Sequence, residues 1–256
     1  MSETLTLGTL LFLIPVVMVV AGAYASVGLG GGTGYLAIMS LFGMPAGTIA
    51  PTALLLNIVV TGAALIRFGL AGRLNWRLFL PFLFPALPAA FLGGFITADR
   101  KIFYGLLAVA LAIAAASMFL NAPNAQEREK NPEGLRLFLI AIPAGLVIGF
   151  LSGFLGIGGG AFFGPLILLL GFAGPRQMAA MNSVLVLLLS TVALSAHGIK
   201  GSIELKVVLP LAVAALIGGF IGATLAEKKI SARLLQRVFA VIILIAAIKA
   251  AFDALS

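Results

Sequence analysis

Long apolar stretches, interrupted by short clusters of charged residues, run along the whole chain. A helix needs about 20 apolar residues to cross the hydrocarbon core of a bilayer. Two shorter apolar stretches, 33–43 and 161–172, each follow a glycine cluster, and as helices they would span only about half of that core. The pattern predicts an all-α polytopic membrane protein with eight long spans and two short, glycine-preceded half-helices. The eight long stretches are 5–27, 48–67, 77–97, 101–120, 135–155, 177–198, 205–226 and 232–252.

The composition excludes several other classes of protein. Apolar residues make up 62% of the chain and charged residues 9%, against about 25% charged residues in soluble domains. With no cysteine and a single histidine, His197, we expect no disulfide, no metal site and no cofactor. The net charge of +8 is typical of the cytoplasmic loops of a membrane protein. No basic run with interleaved aromatic residues is present, so we expect the lipid bilayer, and not nucleic acid, as a partner.

Glycine motifs recur in the same order in the two halves of the chain. Gly28-Leu-Gly-Gly-Gly32 matches Gly156-Ile-Gly-Gly-Gly160, and Leu92-Gly-Gly-Phe-Ile96 matches Ile217-Gly-Gly-Phe-Ile221. Matches at similar offsets indicate an internal duplication, as found in many secondary transporters. The predicted organisation is a first membrane repeat over 1–120, a polar connector loop over 121–134 and a second membrane repeat over 135–256.

The distribution of Lys and Arg predicts how the two repeats are oriented. If each short segment reverses the chain, eleven of the sixteen basic residues fall on one side of the membrane; otherwise nine do. Basic residues concentrate in cytoplasmic loops, so the first arrangement is favoured. We therefore predict two inverted five-element repeats with both termini outside. The amino terminus lacks the positive region of a signal peptide, so we also predict that the first apolar stretch is retained as a span. Whether the short segments fully cross the membrane stays open.

The two glycine clusters are candidates for a substrate site. Glycine allows the backbone to unwind, and the helix that follows points the positive end of its dipole at the break. Freed N–H groups there would stabilise an anion without any fixed positive charge. The alternative is that these glycines serve only close helix packing. All eight acidic residues fall at the ends of spans or in loops, which favours an anion or a zwitterion over a cation as cargo.

Polar side chains within the spans complete the candidate site. An intramembrane asparagine is costly to bury, whereas Ser and Thr, including Thr61 and Ser190, commonly bond back to their own helix. His197 lies near the end of its span and is interpreted as an interfacial residue. The predicted substrate-binding residues are Gly28, Gly30, Gly31, Gly32, Thr33, Asn57, Gly156, Gly158, Gly159, Gly160, Asn182 and Ser183.

Three motifs of this chain resemble those of the sulfite exporter TauE/SafE family of bacterial membrane permeases. They are Gly153-Phe-Leu-Gly-Ile-Gly-Gly-Gly160, Met181-Asn-Ser183 and His197-Gly-Ile-Lys-Gly201, with weaker counterparts in the first half. The resemblance covers about residues 8 to 250. It implies a multi-pass protein of the bacterial cytoplasmic (inner) membrane that moves sulfite, thiosulfate, sulfoacetate or another organosulfonate. Leu54 stands opposite Ser183 in the repeat, so a symmetric pair of hydroxyl ligands is not expected.

We therefore predict a secondary transporter for a small sulfur-containing anion bound at the paired glycine breaks. An anion channel on the same scaffold and a non-transporting membrane assembly protein are the alternatives. An enzyme is not expected, because the chain lacks an H-E-x-x-H helix, paired mid-span aspartates and a buried lysine beside a serine. Four properties stay open: the identity of the anion, the direction of transport, the coupling ion and the oligomeric state, for which a homo-oligomer is one alternative.

Overall fold

A computed structural model describes residues 7–27, 30–68, 74–97, 99–120, 134–199, 205–225 and 232–255. These residues form α-helices joined by short connections, so the all-α prediction is confirmed for the described part of the chain. The predicted connector lies outside it, except for Gly134. The helices are α1 (Leu7–Val27), α2 (Gly32–Leu41), α3 (Ala46–Phe68), α4 (Trp76–Phe95), α5 (Arg100–Leu120), α6 (Leu135–Leu155), α7 (Gly160–Leu170), α8 (Pro175–Ile199), α9 (Leu205–Leu225) and α10 (Ala232–Leu255).

The lengths of the helices follow the predicted alternation of long and short elements. Helices α2 and α7 have 10 and 11 residues, and both are shorter than a membrane crossing requires. Among the described residues, five helices are long and apolar enough to cross a membrane: α3, α4, α5, α6 and α8. Helices α1 and α9 contribute shorter apolar stretches, Leu11–Ala25 and Lys206–Gly222. The chain is thus a multi-pass membrane protein. The other three of the eight predicted crossings, by α1, α9 and α10, stay predictions.

The outer surface of the helical bundle is apolar, as lipid contact requires. Large side chains such as Phe84, Leu139 and Phe220 are exposed, while Asn57 and Asn182 are fully buried. This is the reverse of a soluble protein, in which contiguous exposed apolar surface is limited. The two asparagine amides therefore lie in the interior, where they can form a site.

The helices pair across the two halves of the chain. Helix α1 packs against α9, α4 against α6, α5 against α10 and α3 against α8. If each of the first five helices is exchanged with its counterpart five places later, this set of pairs maps onto itself. The contacts between helices therefore have the symmetry that a duplicated sequence would produce.

Glycines allow two of these pairs to approach at backbone distance. On α6, Gly145, Gly149 and Gly153 are spaced four residues apart, and a Cβ added at any of them would overlap a carbonyl oxygen of α4. On α9, a Cβ added at Gly218 or Gly222 would overlap a carbonyl oxygen of α1. Small residues at such spacing are the usual means of close helix packing in membranes.

The repeated Gly-Gly pair has the same role in both halves. A Cβ at Gly93 would overlap Phe150 O of α6, and one at Gly94 would lie 2.8 Å from Ala193 O of α8. In the other half, Gly218 faces the backbone of α1, and a Cβ at Gly219 would lie 3.3 Å from the Val60 side chain of α3. Each pair therefore lets one helix pack against two others.

The two short helices are held in the bundle in different ways. Phe163 of α7 makes edge-to-face contacts with Phe79 and Phe82 of α4, at centroid distances of 6.1 and 5.5 Å. The last turn of α2 is held by α10: Lys249 Nζ donates to Ser40 O at 2.8 Å and also contacts Asp253 at 2.9 Å. A cation in this position complements the negative end of the α2 dipole.

Candidate functional site

Helices α2 and α7 both begin at a glycine in the left-handed conformation. The N-cap residues are Gly31, with φ 86°, and Gly159, with φ 80°, and neither helix start has a side-chain cap. Gly156 and Gly158 are also left-handed, with φ 83° and 79°. Only glycine adopts this conformation without steric cost. Since the first N–H groups of a helix have no partner within it, both breaks present backbone donors.

The backbones of the two breaks are in contact with each other. A Cβ added at Gly32 would overlap the carbonyl oxygen of Ile157, which lies in the second break. A Cβ at Gly156 would lie 2.6 Å from the Cα and carbonyl oxygen of Ala50 in α3. Close packing therefore requires glycine at Gly32 and Gly156, whatever else the breaks bind.

Asn57 of α3 lies between the two breaks. Its Nδ2 donates to Ile157 O at 3.3 Å, and the same nitrogen would be 2.8 Å from a Cβ at Gly32 and 2.6 Å from one at Gly158. The residue is fully buried, and its Oδ1 has no hydrogen-bond partner. A carbonyl oxygen can only accept, so the bond to Ile157 sets the orientation of the amide.

Helix α8 supplies the opposite wall of the site. The side chain of Val186 faces Gly30, Gly158 and Gly160, at 2.5 to 3.0 Å from a Cβ added at each. Asn182, one turn earlier and fully buried, has its amide 2.9 Å from a Cβ at Gly160. These contacts gather six of the predicted residues around one point: Gly30, Gly32, Asn57, Gly158, Gly160 and Asn182.

Two predicted residues have other surroundings, and a third cannot be placed. Ser183 Oγ donates to Ala179 O of its own helix at 2.9 Å, so its hydroxyl is already engaged. Thr33 Oγ1 shares a hydrogen bond of 3.1 Å with Tyr24 OH of α1. Gly28 lies outside the described residues.

Two tyrosines of the first half lie close to the first break and are absent from the predicted set. A Cβ at Gly31 would lie 2.9 Å from the Tyr35 hydroxyl, and this hydroxyl is buried without a hydrogen-bond partner. The other, Tyr24, bonds Thr33. The available signal was a tyrosine three residues after Gly32, because a tyrosine within an apolar stretch usually needs a hydrogen-bond partner.

Positions 129 residues apart make matching contacts, but their chemistry differs. Thr61 faces Gly30 as Ser190 faces Gly158. Thr61 Oγ1 donates to Asn57 O at 2.6 Å, whereas Ser190 Oγ is buried without a partner. At the centre, Asn57 occupies the place that Val186 holds in the second half. The site is therefore symmetric in backbone and asymmetric in hydrogen bonding.

Charged side chains are absent from the buried positions of the described chain. Those residues also include no group of His, Asp or Glu that could hold a metal ion. His197, interpreted from the sequence as an interfacial residue, is buried within the protein, and its Nε2 donates to Gly153 O of α6 at 3.1 Å. This bond joins the last turn of α8 to the last turn of α6. Neutral donors and acceptors are thus what the described site offers a ligand.

Comparison with known proteins gives a family match over most of the chain. The sequence profile of the family described as "Sulfite exporter TauE/SafE" matches residues 12–250. "Probable membrane transporter protein y4hK" of Sinorhizobium fredii (strain NBRC 101917 / NGR234) is 34% identical over 234 residues, which cover 90% of this chain and 94% of the relative. "Probable membrane transporter protein YunE" of Bacillus subtilis (strain 168) is 36% identical over 90 residues, covering 35% of this chain and 33% of the relative. No solved structure matches significantly.

Proposed function

Because the chain belongs to the sulfite exporter TauE/SafE family and is a membrane transporter, we propose that its cargo is a small sulfur-containing anion. Sulfite, thiosulfate, sulfoacetate and other organosulfonates form the candidate class. The anion would bind between the two glycine breaks, near Asn57 and Asn182. The observation that carries this proposal is the meeting of two helix starts, both without side-chain caps, around buried amides.

Electrostatics favour an anion at this point. The dipoles of α2 and α7 each place partial positive charge at the break, and N–H groups at a helix start bind anions readily. A hydrogen bond to a charged group contributes about 1.5–3 kcal/mol, so a few such donors suffice for binding. Without a buried Lys or Arg in the described interior, the anion could also leave, which transport requires.

The directions of the helices support two inverted repeats. Along α1 and α9, Met18 pairs with Gly218 and Gly22 with Gly222, so these helices run in the same direction. In the second half, the partners on α8 descend from His197 to Ser190 and then to Asn182 as the chain passes from Gly153 to Gly160. The break also folds back along α6, since a Cβ at Gly159 would lie 3.0 Å from the Ile148 side chain. Helix α7 would therefore reverse the chain and leave α9 antiparallel to α6. With α1 parallel to α9, the first repeat is inverted relative to the second.

Alternating access follows from this arrangement. In transporters with inverted repeats, one repeat rocks against the other around a fixed midplane site. The two breaks are in contact here, so binding would require them to separate. By the positive-inside rule, we place the side that carries eleven of the sixteen basic residues in the cytoplasm. Both termini would then lie outside, and the protein would lie in the bacterial inner membrane.

Flux measurements in proteoliposomes test this proposal. Sulfite, thiosulfate, sulfoacetate and taurine would be compared with sulfate and chloride. We expect saturable flux with counterflow for one sulfur anion, because a carrier has a single alternating site. Flux that neither saturates nor shows counterflow would favour an anion channel, and absence of flux and binding would favour a membrane assembly protein.

Variants then test the site. Asn182→Ala removes an amide beside Gly160. Gly159→Val adds a branched side chain at a left-handed residue, where the added Cβ would lie 2.9 Å from the Leu189 side chain. We expect both to abolish flux. Gly62→Ala is the matched control, because a Cβ at Gly62 has no atom within 4 Å. Full flux in well-folded Gly159→Val protein would argue against the breaks as the binding site.

A further inference from the structure

Three buried polar atoms close to the breaks have no hydrogen-bond partner. They are Oδ1 of Asn57, Oγ of Ser190 and the hydroxyl of Tyr35, and all three residues are fully buried. More than nine in ten buried polar groups are paired in folded proteins, so each exception requires an explanation. The three residues lie next to Gly31, Gly32 and Gly158, which indicates that they serve a ligand.

The Asn57 oxygen is the most restrictive of the three. Since Nδ2 is committed to Ile157 O, the amide cannot be turned to present a donor in place of Oδ1. The oxygen can only accept. A cargo whose polar atoms are all acceptors, such as a fully deprotonated oxyanion, would leave this atom unpaired and would be repelled by it.

Ser190 differs from the other hydroxyl groups on α3 and α8. Thr61 and Ser183 donate to carbonyl oxygens of their own helices, as is common for Ser and Thr in helices. Ser190 Oγ instead lies 3.0 Å from a Cβ built at Gly158 and keeps its donor unused. Together with Asn57 it offers one donor and one acceptor on the same side of the second break.

We propose that Asn57 Oδ1 accepts a hydrogen bond from the cargo, so that the site selects a monoanion carrying a donor of its own. This inference rests on the proposed function and narrows its cargo class. Hydrogen sulfite and hydroxyl-bearing sulfonates satisfy it. Sulfonates without an O–H or N–H group do not.

The test compares two ligands that differ by one hydroxyl group. Isethionate (2-hydroxyethanesulfonate) and ethanesulfonate are both monoanions at all accessible pH values and are similar in size. Binding to the purified full-length protein would be measured by titration calorimetry. We expect isethionate to bind about tenfold more tightly. Ethanesulfonate would leave a buried polar group unpaired, which lowers affinity by at least that factor.

Variants separate recognition from a structural role. Asn57→Val copies the residue of the other half and should abolish the preference, so that isethionate and ethanesulfonate bind with equal affinity. A purely structural role would weaken both ligands alike. Ser190→Ala should lower the affinity of the anions, and Ser183→Ala, whose hydroxyl is already bonded within α8, is its matched control.

The outcomes distinguish this inference from the proposed function. Equal affinity of the two sulfonates for the unaltered protein would overturn the inference and leave the function standing. Failure of both sulfonates to bind, with sulfite flux intact, would have the same consequence. Absence of flux and binding for every sulfur anion would overturn both.

Discussion

Replacing Gly156 by alanine tests how tightly the second break is packed. Two penalties combine at this residue. Its φ of +83° costs an alanine about 1–2 kcal/mol, and the added Cβ would lie 2.6 Å from the Ala50 backbone, where ordinary contact begins at 3.4 Å. The break must therefore move away from α3 by about 0.8 Å, the difference of those distances, and overpacking of this kind costs about 1–3 kcal/mol. We expect Gly156→Ala to lower the free energy of unfolding by about 2–5 kcal/mol.

Two other glycines isolate the separate contributions. Gly43 has φ +72° but nothing within 4 Å of its Cβ position, and Gly62 lies in α3 with equally open surroundings. Gly43→Ala should cost only the backbone penalty of about 1–2 kcal/mol. Gly62→Ala should stabilise the protein by about 0.5–1 kcal/mol, since alanine favours helix over glycine.

The assay is reversible unfolding in mixed micelles with increasing SDS, followed by circular dichroism, with sulfite flux measured in parallel. The predicted order of stability is Gly62→Ala, then the unaltered protein, then Gly43→Ala, then Gly156→Ala. If Gly156→Ala is no less stable than Gly43→Ala, the contact with Ala50 relaxes without cost, and the reasoning about close packing at the break is refuted.

Three further predictions follow from particular residues. Replacing His197 by Phe removes a bond to α6 and should destabilise the protein by about 1–3 kcal/mol in SDS titration, yet leave flux per folded molecule unchanged; selective loss of flux would instead indicate a proton carrier. Lys249→Met removes the cation at the last turn of α2 and should cost about 0.3–1 kcal/mol in the same titration. Repeating that titration in high salt, with Asp253→Asn beside it, separates the two contacts of the lysine. Loss of the effect would show that the ion pair dominates, and its persistence that the bond to α2 does. Gln126→Cys and Glu204→Cys, at positions outside the described residues, should react with an impermeant thiol reagent from opposite sides of the membrane; labelling from one side would contradict the inverted topology.

The limits of the helices could be predicted closely from the sequence. The predicted span 48–67 is observed as Ala46–Phe68, and the short stretch 161–172 as Gly160–Leu170. Charged residues and glycine clusters bound these stretches, and a backbone in lipid must satisfy its hydrogen bonds within the helix. The short helices therefore begin within a residue of the predicted positions.

The roles of individual polar residues could be predicted only in part. The expectation that serine bonds to its own helix applies to Ser183 but not to Ser190, although both lie on α8. Asn57 was expected at the site, while its bond across to Ile157 was not. The difference depends on which residues of distant segments face each hydroxyl or amide, and no local pattern contains that information.

The sequence by itself determined the all-α membrane class, the ten helical segments and the two glycine breaks, because apolar length, charge placement and glycine conformational freedom are local properties. Only the tertiary structure decided which helices pair and which polar groups meet. Apolar helices in lipid gain little from burying one face rather than another, so the partners are selected by shape, and glycines such as Gly149 and Gly218 supply that shape. The same close packing brings Asn57 between the two breaks, although Ile157 of the second break is 100 residues away from it in the sequence.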